Sequence, residues 1–273
     1  MSHRDQRIAT RHGEIAITET ASEGPPVLLI HGNSNCRSIF RHQLNSDLGR
    51  RYRMIAMDLP GHGESDDASD PKATYNQVAY AEAAAAVLAA CQAEEAVVMG
   101  WSLGGHIGIE MTYLCRAMKA LTFSGTPPAS GLQVTQAFTP LPHMSFTSKE
   151  VFSDEDARTY ALHTCGVDLP IEPDILAAVK RTDGRARALM FQAWLDGDPG
   201  NPQAERVAEW EKPIAVIQGS DEEFFDNAYL KGLTWANLWE GKIHEIEGGG
   251  HAPFWAKPEA YNALFGRFLD EVA

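Results

Sequence analysis

The chain has 273 residues, a formal net charge of −14 and 44% hydrophobic residues. The acidity argues against nucleic acid or an anionic membrane as partner, and the length suits one large α/β domain with a full core. Four scattered cysteines, none in a C-x-x-C pair, read as free thiols of a reducing compartment.

In chain order, "QRIATRHGEIAITET" alternates apolar and polar residues around His12-Gly13, a hairpin at a sheet edge. "PPVLLIHG" is an unbroken apolar run, as in a strand covered on both faces. "SIFRHQLNSDLGRR" has helical spacing, and "YRMIAMDL" is the next buried strand. Its loop "PGHGES" reads as a turn at the edge of a pocket, with no catalytic role for Asp58 or His62. "TYNQVAYAEAAAAVLAACQ" predicts an Ala-rich helix with Thr74 as N-cap. Strand "EAVVMGWS", helix "LGGHIGIEMTYLC" and strand "KALTFSG" follow. Strands alternating with helices predict a mostly parallel sheet flanked by helices.

After Pro128 the rhythm changes. Residues 129–209 carry helical segments and no clear strand, which predicts an inserted helical cap on a core of residues 1–128 and 210–273. One such segment, "PDILAAVKRTDGRARALMFQAWLDG", reads as continuous. The core resumes with "KPIAVIQG", a short helix, "KIHEIEG" and a last helix, "PEAYNALFGRFLDEV".

Functional groups are expected on loops at the carboxyl ends of the strands, where open α/β sheets bind ligands. "GWSLG" places Ser102 between a strand and a helix, the pattern of a nucleophile elbow. A serine hydroxyl needs an adjacent base, and histidine titrates near neutrality. His251, in "GGGHAPF", follows the last strand and is the candidate base. His31 belongs to the loop "HGNSN", His106 to the helix behind the serine, and His244 to a strand. "GSDEE" supplies three consecutive acids, Asp221, Glu222 and Glu223, of which a triad needs one. The backbone N–H groups of Asn33 and Leu103 are candidates for an oxyanion hole. The ten histidines form no H-E-x-x-H pair and no two-metal cluster, so no metal or other cofactor is expected.

The order Ser, acid, His resembles that of the α/β hydrolases, as do "HGN", "DLPGHGES", "GWSLGG", "GSDE" and "GHAPF" over nearly the whole chain. Counting from Gly219, the resemblance implies Glu222 as the triad acid, with Asp221 the alternative. A serine at the elbow argues against the dehalogenases and epoxide hydrolases of this fold, which need a carboxylate there. "IHGNSN", "GWSLGGHIGIEM", "SGTPP", "TCG", "RTDGRAR", "ANLWEGK" and "GHAPF" together resemble the metal-free N-acyl homoserine lactonases. That resemblance implies opening of the lactone ring of bacterial quorum-sensing signals. Trp101, Phe138, Met144 and Tyr160 are the candidate substrate-binding residues. The Tyr160 phenol is expected to hydrogen-bond the lactone. A small-molecule carboxylesterase and a non-hydrolytic receptor of the same fold are the rival readings. The remaining expectations are a small-molecule substrate, a monomer or homodimer, and a cytoplasmic protein, because no apolar run is long enough to span a membrane and "MSHRDQRIATRHG" has no signal-peptide core.

Overall fold

The computed structural model describes residues 2–166 and 170–273. Eight strands form the order β1-β2-β4-β3-β5-β6-β7-β8. β1 (His3–Thr10) and β2 (Gly13–Thr20) form the expected hairpin, and β2 runs antiparallel to β4 (Arg53–Met57). The other pairs are parallel: β3 (Pro26–Ile30), β4, β5 (Val97–Trp101), β6 (Ala120–Ser124), β7 (Ile214–Gly219) and β8 (His244–Ile246). β5, β6 and β7 are buried at every residue. They are mostly apolar on both faces, because helices cover both faces of the sheet.

The Ala-rich segment forms helix α1 (Gln77–Ala90), and "LGGHIGIEMTYL" forms α2 (Leu103–Leu114). The N-cap expectation is corrected. Asn76 caps α1, its side chain accepting from the Ala79 N–H, while Thr74 ends a separate short turn, Pro71–Thr74. "SIFRHQLNSDLGRR" breaks into a 3₁₀ turn and two short helices, with Ser46 capping the last of them.

Among the described residues, the stretch between β6 and β7 holds helices and no strand. The longer ones are α3 (Asp154–Cys165), α4 (Pro173–Arg181), α5 (Gly184–Asp196) and α6 (Gln203–Glu209). The segment read as one helix is two, α4 and α5. Asp183 ends the run by capping α5, and its other oxygen accepts from the Tyr75 hydroxyl at 2.6 Å. A side chain that bonds local backbone N–H groups starts a new helix rather than continuing the old one. α7 (Asn227–Gly232) and α8 (Pro258–Val272) complete the core. No helix of the described residues is long and apolar enough to cross a membrane.

Candidate active site

Ser102 sits between β5 and α2 with φ 54° and ψ −118°. A non-glycine residue pays to hold that region, and such strain clusters at functional sites. The flanking glycines make the turn possible. A Cβ on Gly100 would lie 2.2 Å from the Gly104 carbonyl oxygen, and one on Gly104 would lie 2.1 Å from that of Ile30. The loop after β3 lies directly over the serine: a Cβ on Gly32 would come within 3.1 Å of the Ser102 Cβ.

Leu103 opens α2, so its N–H has no intrahelical acceptor. The Asn33 N–H also donates to no group among the described residues. The Asn33 loop is held from the cap side. Tyr160 on α3 donates its hydroxyl to the Asn33 carbonyl at 3.2 Å, and the Asn33 Nδ2 donates to the Thr147 carbonyl at 2.9 Å. Buried Arg187 on α5 donates to Ser34 Oγ and to the carbonyls of Lys149 and Glu150. Burial pushes its guanidinium below its ordinary pKa and burial pushes the Tyr160 phenol up.

His251 Nδ1 lies 2.8 Å from Glu222 Oε2. That oxygen also accepts from Gln218 Nε2 at 2.9 Å, and Glu222 Oε1 accepts from the Phe224 N–H at 3.0 Å. The Glu222 side chain is wholly buried and the His251 side chain is 4% exposed. The three adjacent acids have three different settings. Asp221 is exposed and accepts from the Gly250 N–H at 3.0 Å, closing the histidine loop. Glu223 turns to the cap and meets His163 Nδ1 at 2.8 Å.

Ser102, Leu103, Asn33 and His251 border one cavity, together with Tyr160, Phe138 and Met144. It encloses about 50 Å³, far below the roughly 300–1,000 Å³ of a filled small-molecule site. Thr147 and Thr164 also line it, beside Asn33 and Tyr160. Among its lining rings, Trp194 packs against His106 at 4.6 Å between ring centroids, Phe138 at 5.2 Å and Phe191 at 5.9 Å. A larger cleft, about 570 Å³, holds none of these groups; its Arg37, Arg41 and Arg181 are already paired with Asp58, Asp174 and Asp67.

Three expectations change. Trp101 does not border the cavity. It is 1% exposed, packs on Phe254, and donates its indole N–H to the His251 carbonyl at 2.9 Å. A residue just before the serine on a strand points to the opposite face of the sheet from it. The turn "DLPGHGES" does not border the cavity either: Asp58 accepts from the Glu64 and Arg37 N–H groups, and His62 is buried beside His31. His106, read as lying behind the serine, borders the cavity, as do Gln77 and Trp194. Gln77 gave no signal in sequence, since a glutamine opening an Ala-rich helix looks like surface.

The sequence also showed no metal cluster, yet three separate segments bring His143, His163 and Glu223 together. The two imidazoles stack at 3.8 Å and 13°, with His163 Nδ1 2.8 Å and His143 Nε2 3.8 Å from the Glu223 carboxylate. The cluster ties the cap to the acid loop.

A family model described as alpha/beta hydrolase fold matches residues 25–258. The chain belongs to the α/β hydrolase fold family. It is 32% identical to the AB hydrolase superfamily protein YisY of Bacillus subtilis, over 96% of this chain and 97% of that protein. Its match to an uncharacterized protein of Mycobacterium tuberculosis is 36% identical over 104 residues, and spans 29% of that protein's length. Among solved structures it is similar to the N-acyl homoserine lactonase AidH complexed with N-hexanoyl homoserine, at 43% identity and TM-score 0.96, over 99% of this chain and 97% of that one. A complex of the same lactonase with N-hexanoyl homoserine lactone matches at TM-score 0.94.

Proposed function

We propose that this chain is a serine hydrolase that opens the lactone ring of N-acyl homoserine lactones, with Ser102 as nucleophile, His251 as base and Glu222 as the acid that orients it. Residues 129–209 act as the cap over a core of residues 1–128 and 210–273. The Asn33 and Leu103 N–H groups serve as the oxyanion hole. The observation that carries the lactone reading is the 43% identity to the lactonase AidH over nearly the whole of both chains. The triad by itself supports acyl transfer in general.

His251 takes the Ser102 proton as the hydroxyl attacks the lactone carbonyl. Glu222, bonded to Nδ1, keeps the lone pair of Nε2 facing the serine and stabilises the imidazolium. Charge gathers on the carbonyl oxygen, where two preorganised N–H donors lower the barrier by ~3–4 kcal/mol each. The ring oxygen leaves with the imidazolium proton and stays tethered to the acyl group. Water, activated by the same histidine, then frees the serine and yields the open N-acyl homoserine. A lactone with its acyl tail fills far more than 50 Å³, so side chains lining the cavity must move apart on entry.

Turnover of N-hexanoyl homoserine lactone beside p-nitrophenyl acetate, both in excess EDTA, separates this reading from its rivals. The lactone is expected to be the better substrate by kcat/KM, with full activity in chelator. Preference for the aryl ester points to a carboxylesterase, and turnover of neither points to a receptor.

A further inference from the structure

Beside the lining ring of Trp194, His106 starts a polar chain. His106 Nδ1 lies 2.6 Å from Gln203 Oε1, and Gln203 Nε2 donates to Gln77 Oε1 at 2.9 Å. Gln203 Nε2 is also 3.5 Å from the His106 backbone carbonyl, which fixes the nitrogen of that amide on this side. The direction of the whole chain follows. His106 donates from Nδ1, Gln203 accepts and passes a donor on, and Gln77 accepts through Oε1. The relay ends on Gln77 Nε2. That nitrogen is buried and has no hydrogen-bond partner among the described residues. Gln77 as a whole is 4% exposed and borders the cavity. His106, pushed down to about 4 by burial, stays neutral in its role as first donor.

An amide donor held buried and unpaired is costly, and in a binding site it marks where a ligand acceptor belongs. The distance along the site identifies which acceptor. His106 follows Ser102 by four residues on one face of α2, or roughly 6 Å along the axis. In an acyl homoserine lactone, five bonds separate the lactone carbonyl carbon from the third carbon of the acyl chain. Three bonds across a trans peptide span about 3.8 Å, so five span roughly 6 Å when extended. With the carbonyl at Ser102 and the tail among Phe138, Phe191 and Trp194, the third acyl carbon reaches the level of the relay.

We propose that Gln77 is a specificity-determining residue whose Nε2 hydrogen-bonds an oxygen on the third carbon of the substrate's acyl chain, with Gln203 and His106 as positioning residues behind it. This rests on the lactonase reading and narrows its substrate class to 3-oxo acyl homoserine lactones. Among the described lining residues, Gln77 Nε2 is the buried side-chain nitrogen left without a partner, so a keto oxygen there satisfies it and an unsubstituted tail leaves it unpaired.

The test compares kcat/KM for N-(3-oxohexanoyl) and N-hexanoyl homoserine lactone in the wild-type chain, Gln77→Met and Gln77→Glu. The wild type is expected to favour the 3-oxo lactone roughly tenfold, the worth of one well-placed hydrogen bond. Gln77→Met should bring the ratio to within about twofold of one, and Gln77→Glu, which sets an acceptor where the donor stood, should push it below one. Equal turnover of the two lactones by the wild type overturns the proposal while leaving the lactonase reading intact. A tenfold ratio that survives in a folded Gln77→Met overturns it too. If neither lactone opens, the lactonase reading fails and the proposal falls with it. The wild-type ratio needs no variant, so a misfolded substitution leaves the question decided.

Discussion

Two buried side chains, Glu222 in the core and Gln77 under the cap, are satisfied to different degrees. Glu222 has three hydrogen-bond donors within 3.0 Å, from His251, Gln218 and Phe224. Gln77 has its oxygen occupied and its nitrogen free. A group that must hold another group in one orientation is saturated by its neighbours. A group that is to meet a ligand keeps a bonding position open. The same contrast runs through the two regions. The core loops carrying Ser102, Glu222 and His251 are pinned by backbone contacts, while the cavity beside them is small and its cap lining is rich in rings.

The sharpest way to break that comparison is at the acid loop. Glu222→Gln keeps the shape but no longer enforces the His251 tautomer, and kcat on a lactone should fall by roughly 10³–10⁴, a barrier increase of about 4–5 kcal/mol. Asp221→Asn, whose carboxylate only closes the loop on the Gly250 N–H, should cost less than about tenfold. Reversed magnitudes would move the acid to Asp221.

The second effect is on stability. His31, His62 and His106 are buried, and burial holds all three below the ordinary histidine value, His106 at about 4. The unfolded chain takes up these protons near pH 6.5 and the folded chain does not. Stability is therefore full above about pH 6.5 and falls as pH drops toward 4. His106 alone accounts for about 2 kcal/mol between pH 7.5 and 5. Glu110, raised by burial, opposes the trend as a single group. Urea unfolding at the two pH values checks this, and equal stability at both would show that the buried histidines are hydrated.

The smallest effect sharpens the contact between the regions. Tyr160→Phe removes the hydroxyl that holds the Asn33 carbonyl. With the Asn33 loop less firmly placed, kcat should fall roughly fivefold, the worth of about 1 kcal/mol, with little change in KM. A rise in KM at constant kcat would instead make the phenol a substrate contact, as the sequence resemblance implied.

Much of the core was legible in sequence because its constraints are local. β3 read as an unbroken apolar run, and β5 and β6, buried at every residue, read as strands alternating with helices. The elbow glycines are fixed by backbone passing at about 2 Å from any added Cβ. The cap was legible only as helix. Its boundary at Asp183 depends on a capping bond and on Tyr75, far away in sequence. Gln77, Gln203 and His106 meet across 126 positions of chain, and no spacing rule reaches that far. Trp101 was misplaced for the opposite reason: its nearness to Ser102 in sequence hid the alternation that turns it away from the cavity.

Everything proposed for the site depends on Ser102 of the elbow acting as the nucleophile on the lactone. Ring opening of N-hexanoyl homoserine lactone by the wild type and by Ser102→Ala, followed by proton release and paired with circular dichroism, tests it most directly. The wild type is expected to release one proton and one open N-acyl homoserine per turnover, and a folded Ser102→Ala to lose at least about 10³-fold in kcat. A folded variant that opens the ring within tenfold of the wild-type rate would contradict it.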